Sequence, residues 1–486
     1  MWTLPANLNS QLIANTITVR SLILFDDRVR LRRRTPTEST GKTSDRGRLL
    51  SVLGVGFGLA VIVGNTIAAG ILRTPGEVAA HLNSTWLFIV VWLLGGLYAL
   101  LGAISVAELG ATISRSGGQY VFAHHALGDY AGFIVGWSDW ISTCGTTAAV
   151  SITIAEYTGH LFPRLAALRV SIALAIVLGF ALLQWRGIKW GSSIQNVTGV
   201  LKTMSFIALV AACFIVGSRG ASSEAAPQPA SPSGLALFVA IIIALQAVVY
   251  TYDGWTGVIY FSEEVRDPGR NVPRALFGGV AAIIVIYLLV NAAILYILPL
   301  SSIAGEDLAL GKAAEAVFGA RGDTIFRTIT IVSMLSGINA FHLMATRVLF
   351  AMSRDGLFWR RAAEVNPGGT PALALFMSAG VAVVFVLSGT FEQVTAVLAF
   401  FFVTNYTVTF LSLFVLRRKE PNRPRPYRAW GYPWTTGAAL IGSVFFLAGA
   451  IKADLGNTKY ALGALALSYP VYRLIKRASR RVINSM

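Results

Sequence analysis

An all-α polytopic membrane protein is the fold class the sequence predicts, and three observations predict it. Of 486 residues, 55% are hydrophobic and only 13% are charged, about half the charged fraction of an ordinary soluble chain. Apolar runs of roughly 18 or more residues recur from Ser51 towards the C-terminus, each long enough to cross about 30 Å of hydrocarbon as a helix. Basic clusters fall in alternate connections, as they do when one side of a membrane collects Lys and Arg. The short alternating segments of a closed barrel are absent.

The 40 Lys and Arg against 23 Asp and Glu leave a net charge of +17. The excess lies in tails and connections, so it reads as topology rather than as a nucleic-acid surface. Cys144 and Cys213 lie inside apolar runs and suggest neither a disulfide framework nor a metal site. His81, His124, His125, His160 and His342 are scattered without metal-ligand spacing. No phosphate loop or nucleophile elbow appears, so neither an enzyme nor a cofactor is expected. A channel would more often carry a repeated filter or charged pore rings.

Residues 1–50 read as a cytoplasmic tail without a cleavable signal, because charges follow the weak apolar stretch Leu12–Phe25 instead of preceding it. Its run "RVRLRRR" suits positive-inside anchoring, with anionic lipid as the other reading. About twelve spans follow, near 51–72, 86–112, 130–158, 168–186, 192–217, 235–260, 274–299, 323–353, 371–388, 391–416, 433–452 and 457–475. With the N-terminus inside, Arg186 and Lys189, then Arg266, Arg270 and Arg274, then Arg354, Arg360 and Arg361 all face the cytoplasm. So do the basic connection 417–432 and the tail 476–486. A Ser-, Ala- and Pro-rich external loop, 218–234, separates the first five spans (51–217) from the next five (235–416), and spans eleven and twelve occupy 433–475.

Two spans are broken inside. The first contains "VGNTIAAGIL", Val63 to Leu72, and the sixth contains "YTYDGWTGVI", Tyr250 to Ile259. Glycine and small polar residues weaken a helix at its centre. Backbone groups freed there cannot face lipid and must line a cavity or a ligand. Breaks in corresponding positions five spans apart point to an inverted-repeat transporter with its site near the bilayer midplane. Close helix packing is the other use of such small residues. Asp253, a carboxylate at the second break, fits three roles: attracting a cationic substrate, carrying a proton, or bonding the freed backbone of its own helix.

These segments resemble the amino acid–polyamine–organocation superfamily of transporters, from about Leu49 to Arg428. "GNTIAAGIL" is similar to the unwound region of the family's first helix, with Ala68, Ala69 and Gly70 in the three places of its glycine–serine–glycine. "GAISVAELGATISRSGGQY" resembles the second helix and its loop, "YDGWTGVIYFSEEVRDPGRNVPRAL" the sixth helix and its loop, and "SGINAFHLMATRVLFAMSRDG" the eighth. The nearest branch is that of the L-type amino acid transporters and their bacterial relatives. The resemblance implies a five-plus-five inverted repeat, two added helices and an amino acid substrate. It implies that backbone at Ile67, Ala68, Ala69 and Gly70 receives the substrate carboxylate at a helix N-terminus. Carbonyls at Tyr250, Thr251 and Tyr252 would receive the ammonium, and Tyr250 matches an aromatic gate, with simple packing as the alternative. "LFW" after "SRDG" departs from the family's leucine–proline.

Within the fifth span, "QNVTGVLKTMSFIALVAACFIVG", Lys202 lies about 15 Å along the helix from Ser192 at roughly 1.5 Å per residue. An unpaired ammonium there is costly. Lys202 matches the lysine by which sodium-independent relatives fill the place of a sodium ion between the first and eighth helices. The resemblance therefore implies that it bonds carbonyls around Ala68 and polar groups at Ser333 or Ser336. A lysine in a wet cavity without a coupling role is the alternative, and Asp253 and Glu108 are further proton-carrier candidates. At the cytoplasmic ends, Glu263, Glu264 and Arg266 face Arg347, Arg354 and Asp355 as a possible inner gate. Expected partners are an amino acid substrate and the lipid bilayer, with no nucleic acid. The third–fourth external loop "GHLFPRLAALR" has no cysteine, so no disulfide-linked heavy subunit is expected. The function expected is sodium-independent transport of neutral L-amino acids in a bacterial inner membrane, by exchange or proton symport. The runner-up is transport of cationic amino acids or polyamines using Asp253.

Overall fold

The computed structural model describes residues 49–67, 69–216, 233–306, 308–388, 391–453 and 455–484. Nearly all of the expected N-terminal tail and most of the expected loop 218–234 therefore lie outside the described residues. Ala68 does too, and of Ala69 only the backbone is described.

Sixteen α-helices follow one another along the described chain. The first seven are α1 (Val55–Thr66), α2 (Ala69–His81), α3 (Thr85–Thr112), α4 (Gln119–Leu127), α5 (Asp129–Leu161), α6 (Arg169–Trp185) and α7 (Ile188–Ile215). Then come α8 (Gly234–Thr251), α9 (Pro268–Ile297), α10 (Leu300–Ile303), α11 (Ala309–Phe318) and α12 (Gly322–Arg354). The last four are α13 (Ala372–Ser388), α14 (Phe391–Lys419), α15 (Trp434–Ala453) and α16 (Leu455–Asn484). Among the described residues there is no β-strand; a single isolated bridge joins Leu53 to Val265.

Seven helical stretches are long and apolar enough to cross a membrane, and α1 with α2, bent by 47°, make an eighth. Helices α13 and most of α15 are shorter apolar helices, and α5 and α16 occupy the third and twelfth expected spans. The chain is thus an all-α polytopic membrane protein. Three elements differ from expectation. The connections expected after α3 and after α9 fold partly into α4 and α11. The C-terminal basic segment, expected as a tail from 476, continues helix α16 to Asn484; its arginines and lysines are good helix formers.

The two breaks sit at the centre of this packing. Helix α1 packs against α7, α9 and α12, α2 against α8, and α1 against the 3₁₀ turn Gly257–Phe261 that follows the second break. Each broken end is therefore surrounded by continuous helices, which bring polar side chains to it.

Candidate substrate and cation site at the two helix breaks

Helix α1 stops at Thr66, where Ile67 leaves helical geometry at φ −76° and ψ 84°. Helix α8 stops at Thr251, and the chain turns through Gly254 at φ +105°. A side chain at Gly254 would be strained by that φ, and its Cβ would meet Asn65 at 2.9 Å. The two breaks touch directly. A Cβ at Gly70 would lie 3.1 Å from Thr251, Asn65 Nδ2 donates to the Gly254 carbonyl at 3.1 Å, and the Thr74 and Thr251 hydroxyls are 2.5 Å apart.

Helix ends leave carbonyls without intrahelical partners, and in hydrocarbon the protein itself must supply the donors. It does so here from three directions. Lys202, with 0% of its surface exposed, donates from Nζ to the Gly64 carbonyl at 2.9 Å. Ser333 Oγ donates to the Ile67 carbonyl at 3.1 Å. The Tyr287 hydroxyl on α9 lies 2.8 Å from the Thr66 carbonyl and 3.0 Å from that of Thr251, so one donor spans both breaks. Asn65 Oδ1 and Thr66 Oγ1 are buried acceptors without a hydrogen-bond partner among the described residues.

A ladder of amides backs this arrangement. Gln195 Nε2 donates to the Ala60 carbonyl at 3.0 Å and to Ser336 Oγ at 3.3 Å, while its Oε1 accepts from Asn339 Nδ2 at 2.8 Å. Gln184 Nε2 reaches Asn339 Oδ1 at 2.9 Å. Gln195 and Lys202 are seven residues apart, two turns on one face of α7, and both grip α1. The structure thus moves the Lys202 contact from the surroundings of Ala68 to Gly64, and it gives Ser336 to Gln195 instead of to the lysine.

Asp253 is engaged by another helix, α14. It accepts a hydrogen bond from the Tyr406 hydroxyl and lines a cavity of ≈ 180 Å³ with Tyr250, Gln246 and Val403. Trp255 stacks on Tyr406 at 5.4 Å and 8°. Tyr250 is 43% exposed on that side. Tyr252 turns the other way: it is buried, and its hydroxyl donates to the Trp92 carbonyl at 3.2 Å. A second buried carboxylate, Asp139 on α5, accepts from the Tyr260 hydroxyl at 2.9 Å through both oxygens.

Likeness to known proteins decides the family. Residues 49–465 match the amino acid permease family. The chain belongs to that family. The permease is 28% identical over 443 residues to the serine/threonine exchanger SteT of Bacillus subtilis (strain 168), covering 90% of this chain and 99% of that one. It is 28% identical over 397 residues to the Asc-type amino acid transporter 1 of Mus musculus, covering 79% and 74%. It is 26% identical over 407 residues to the b(0,+)-type amino acid transporter 1 of the same organism, covering 81% and 82%. These are transporters and not enzymes, so the permease is a membrane transporter of amino acids.

At the basic end of the permease, opposed charges do meet. Arg347 holds Glu264 through Nε at 2.9 Å and Nη2 at 2.8 Å, both side chains fully buried. Arg354 pairs with Glu263 at 2.8 Å, and Asp355 pairs with Arg115 at 2.6 Å and accepts from the Tyr120 hydroxyl. Arg266 does not join them: its side chain is exposed, its backbone N–H donates to the Leu53 carbonyl at 2.9 Å, and its carbonyl accepts from Asn271 Nδ2. Glu108 lies in a cluster of arginines instead. Arg417 and Arg425 both pair with it, at 2.5 and 3.0 Å, and it accepts the Ala429 N–H at 2.6 Å. Sequence reasoning missed Tyr287, Gln195, Asn65 and Asp139. Their signal was present as polar side chains inside apolar spans, but the face each presents depends on packing.

Proposed function

We propose that the permease moves neutral L-amino acids without sodium, by alternating access in a bacterial plasma membrane, with the basic end in the cytoplasm. The observation that carries this is the Lys202 ammonium on the Gly64 carbonyl, one turn before Ser333 meets Ile67. A tethered cation there supplies the charge that a bound metal cation would otherwise bring to the end of α1. The zwitterion's ammonium suits the unpartnered acceptors at the breaks, Asn65 Oδ1 and Thr66 Oγ1. Its carboxylate suits the N-terminal backbone of α2 at Ala69 and Gly70, where the helix dipole is positive. Exchange is the favoured mode, since the most similar relatives include a protein named as a serine/threonine exchanger. The α5–α6 connection carries no cysteine, so the permease acts without a disulfide-linked subunit.

A second reading rests on Asp253. Its carboxylate opens on the cavity beside Tyr250 with a phenol as its hydrogen-bond partner, which suits a cationic side chain. Purified permease in liposomes tests both readings. Radiolabelled amino acids are offered with sodium, a proton gradient and internal amino acid varied separately. Uptake that needs internal amino acid alone is expected; uptake that needs sodium would sink the proposal. Asp253→Asn should leave alanine and leucine uptake within about twofold, and selective loss of arginine uptake would move the substrate to the cationic class.

A further inference from the structure

The basic end of α9 carries arginines of two kinds. Arg417, Arg423 and Arg425 nearby are taken up by Glu108 and Glu420. Arg266, Arg270, Arg274 and Arg428 are exposed, and none forms an ion pair among the described residues. Arg270, Arg274 and Phe277 follow i, i+4, i+7 spacing and so share one face of α9. Over those seven residues the helix rises about 10 Å, from its charged first turn into its apolar length. Trp430, 67% exposed, lies flat on Phe277 at 5.8 Å and 11°, and Tyr427 meets the same ring at 5.6 Å. Arg270, Asp267, Pro273, Pro426 and Tyr427 border a cleft of ≈ 590 Å³ between α9 and the connection that follows α14.

We propose that this cleft and stripe bind one anionic phospholipid of the leaflet at the basic end. Its phosphate lies among Arg270, Arg274 and Arg428, and an acyl chain runs along Phe277 and Trp430. Planar guanidinium groups match phosphate oxygens two at a time, and Trp and Tyr favour the depth where headgroup meets hydrocarbon. In the cleft the one carboxylate, Asp267, is joined by Arg270, with Arg274 one turn further along the same face of α9. A zwitterionic lipid offers the same phosphate but adds an ammonium that these arginines repel, so the site selects net negative charge. A lipid held there ties α9, which packs on α1, to a connection anchored on α3 through Glu108.

Native mass spectrometry of the full chain in detergent, titrated with equal phosphatidylglycerol and phosphatidylcholine of matched chains, tests this. The wild type should retain one phosphatidylglycerol at least fivefold in preference to phosphatidylcholine. R270Q/R274Q/R428Q should fall to near parity, while R360Q/R361Q, exposed arginines outside the cleft, should keep the preference. If the triple variant does not fold, R428Q alone should cut the preference at least twofold. No preference in the wild type, or equal loss in R360Q/R361Q, would overturn the proposal. Displacement of phosphatidylglycerol by excess inorganic phosphate would also overturn it, assigning the cleft to a free anion.

Discussion

At the residue scale, the breaks are held by single donors, so single substitutions should separate their roles. Lys202→Met removes the ammonium and leaves the buried Gly64 carbonyl without its donor, at a cost of about 1–3 kcal/mol. Transport should drop at least tenfold, and added sodium should not restore it, because the loss includes the tether itself; uptake in liposomes with and without sodium checks both points. Gly254→Ala meets two obstacles, the positive φ and a Cβ within 2.9 Å of Asn65. It should be worse tolerated than alanine at Gly56, where a Cβ meets nothing within 4 Å; thermal unfolding of the two variants in detergent compares them. The need for something to receive Lys202 was legible from its depth in an apolar span. The receiving atom was not, because a lysine stem reaches several carbonyls and only the packing of α7 on α1 chooses Gly64. Tyr287 was illegible for a similar reason: a tyrosine in an aliphatic span can face lipid, and nothing local says that its hydroxyl bridges two distant breaks.

At the scale of elements, the helices and their two breaks were legible because hydrocarbon demands long apolar runs and small residues stand out against them. The connections were not, since polar segments at the membrane surface carry no periodic signal that separates a loop from a docked strap. The connection 420–433 is such a strap. Arg425 reaches Glu108 on α3 and Arg423 reaches the Thr112 carbonyl, while Lys419 at the end of α14 reaches the Ala126 carbonyl. Glu108→Gln leaves Arg425 its backbone carbonyl acceptors but no counter-charge and should cost about 3 kcal/mol, seen as a lowered midpoint in a thermal unfolding scan. A second tie joins the end of α16 to α5 through Lys476 and Asp129. The Lys476 ammonium, and then His124, hold the Asp129 carboxyl below the ordinary carboxylate range. A depressed carboxyl contributes above its unfolded pKa of about 3.9 and is lost only as pH falls through and below it. Proteolysis near the end of α16 should therefore be flat between about pH 5 and 8 and rise at all those values in Lys476→Gln.

At the scale of the whole molecule, the ties at the basic end join the elements on either side of the two breaks. Leu53 before α1 is bridged to Val265 after the second break, and Glu264–Arg347 is buried directly beside that bridge. The opposite side of the second break carries the exposed Tyr250 and its cavity. Such a molecule is shut at its basic end, and the alternating access proposed above requires that end to open. Removing one partner of a buried pair costs about 3–5 kcal/mol, enough to shift a closed-to-open ratio by a factor on the order of 10²–10³. The outer pair Glu263–Arg354, a quarter exposed, should be worth about 1 kcal/mol or less. A cysteine placed at the buried Ser262, in a background with Cys144 and Cys213 replaced, reports the difference through its labelling by an impermeant thiol reagent applied from the basic side. Glu264→Gln should accelerate labelling at least tenfold and Glu263→Gln by less than about threefold. Equal rates in the two variants would mean that the buried pair serves folding alone, and that the bridge at Leu53, not the charge pair, keeps this end closed.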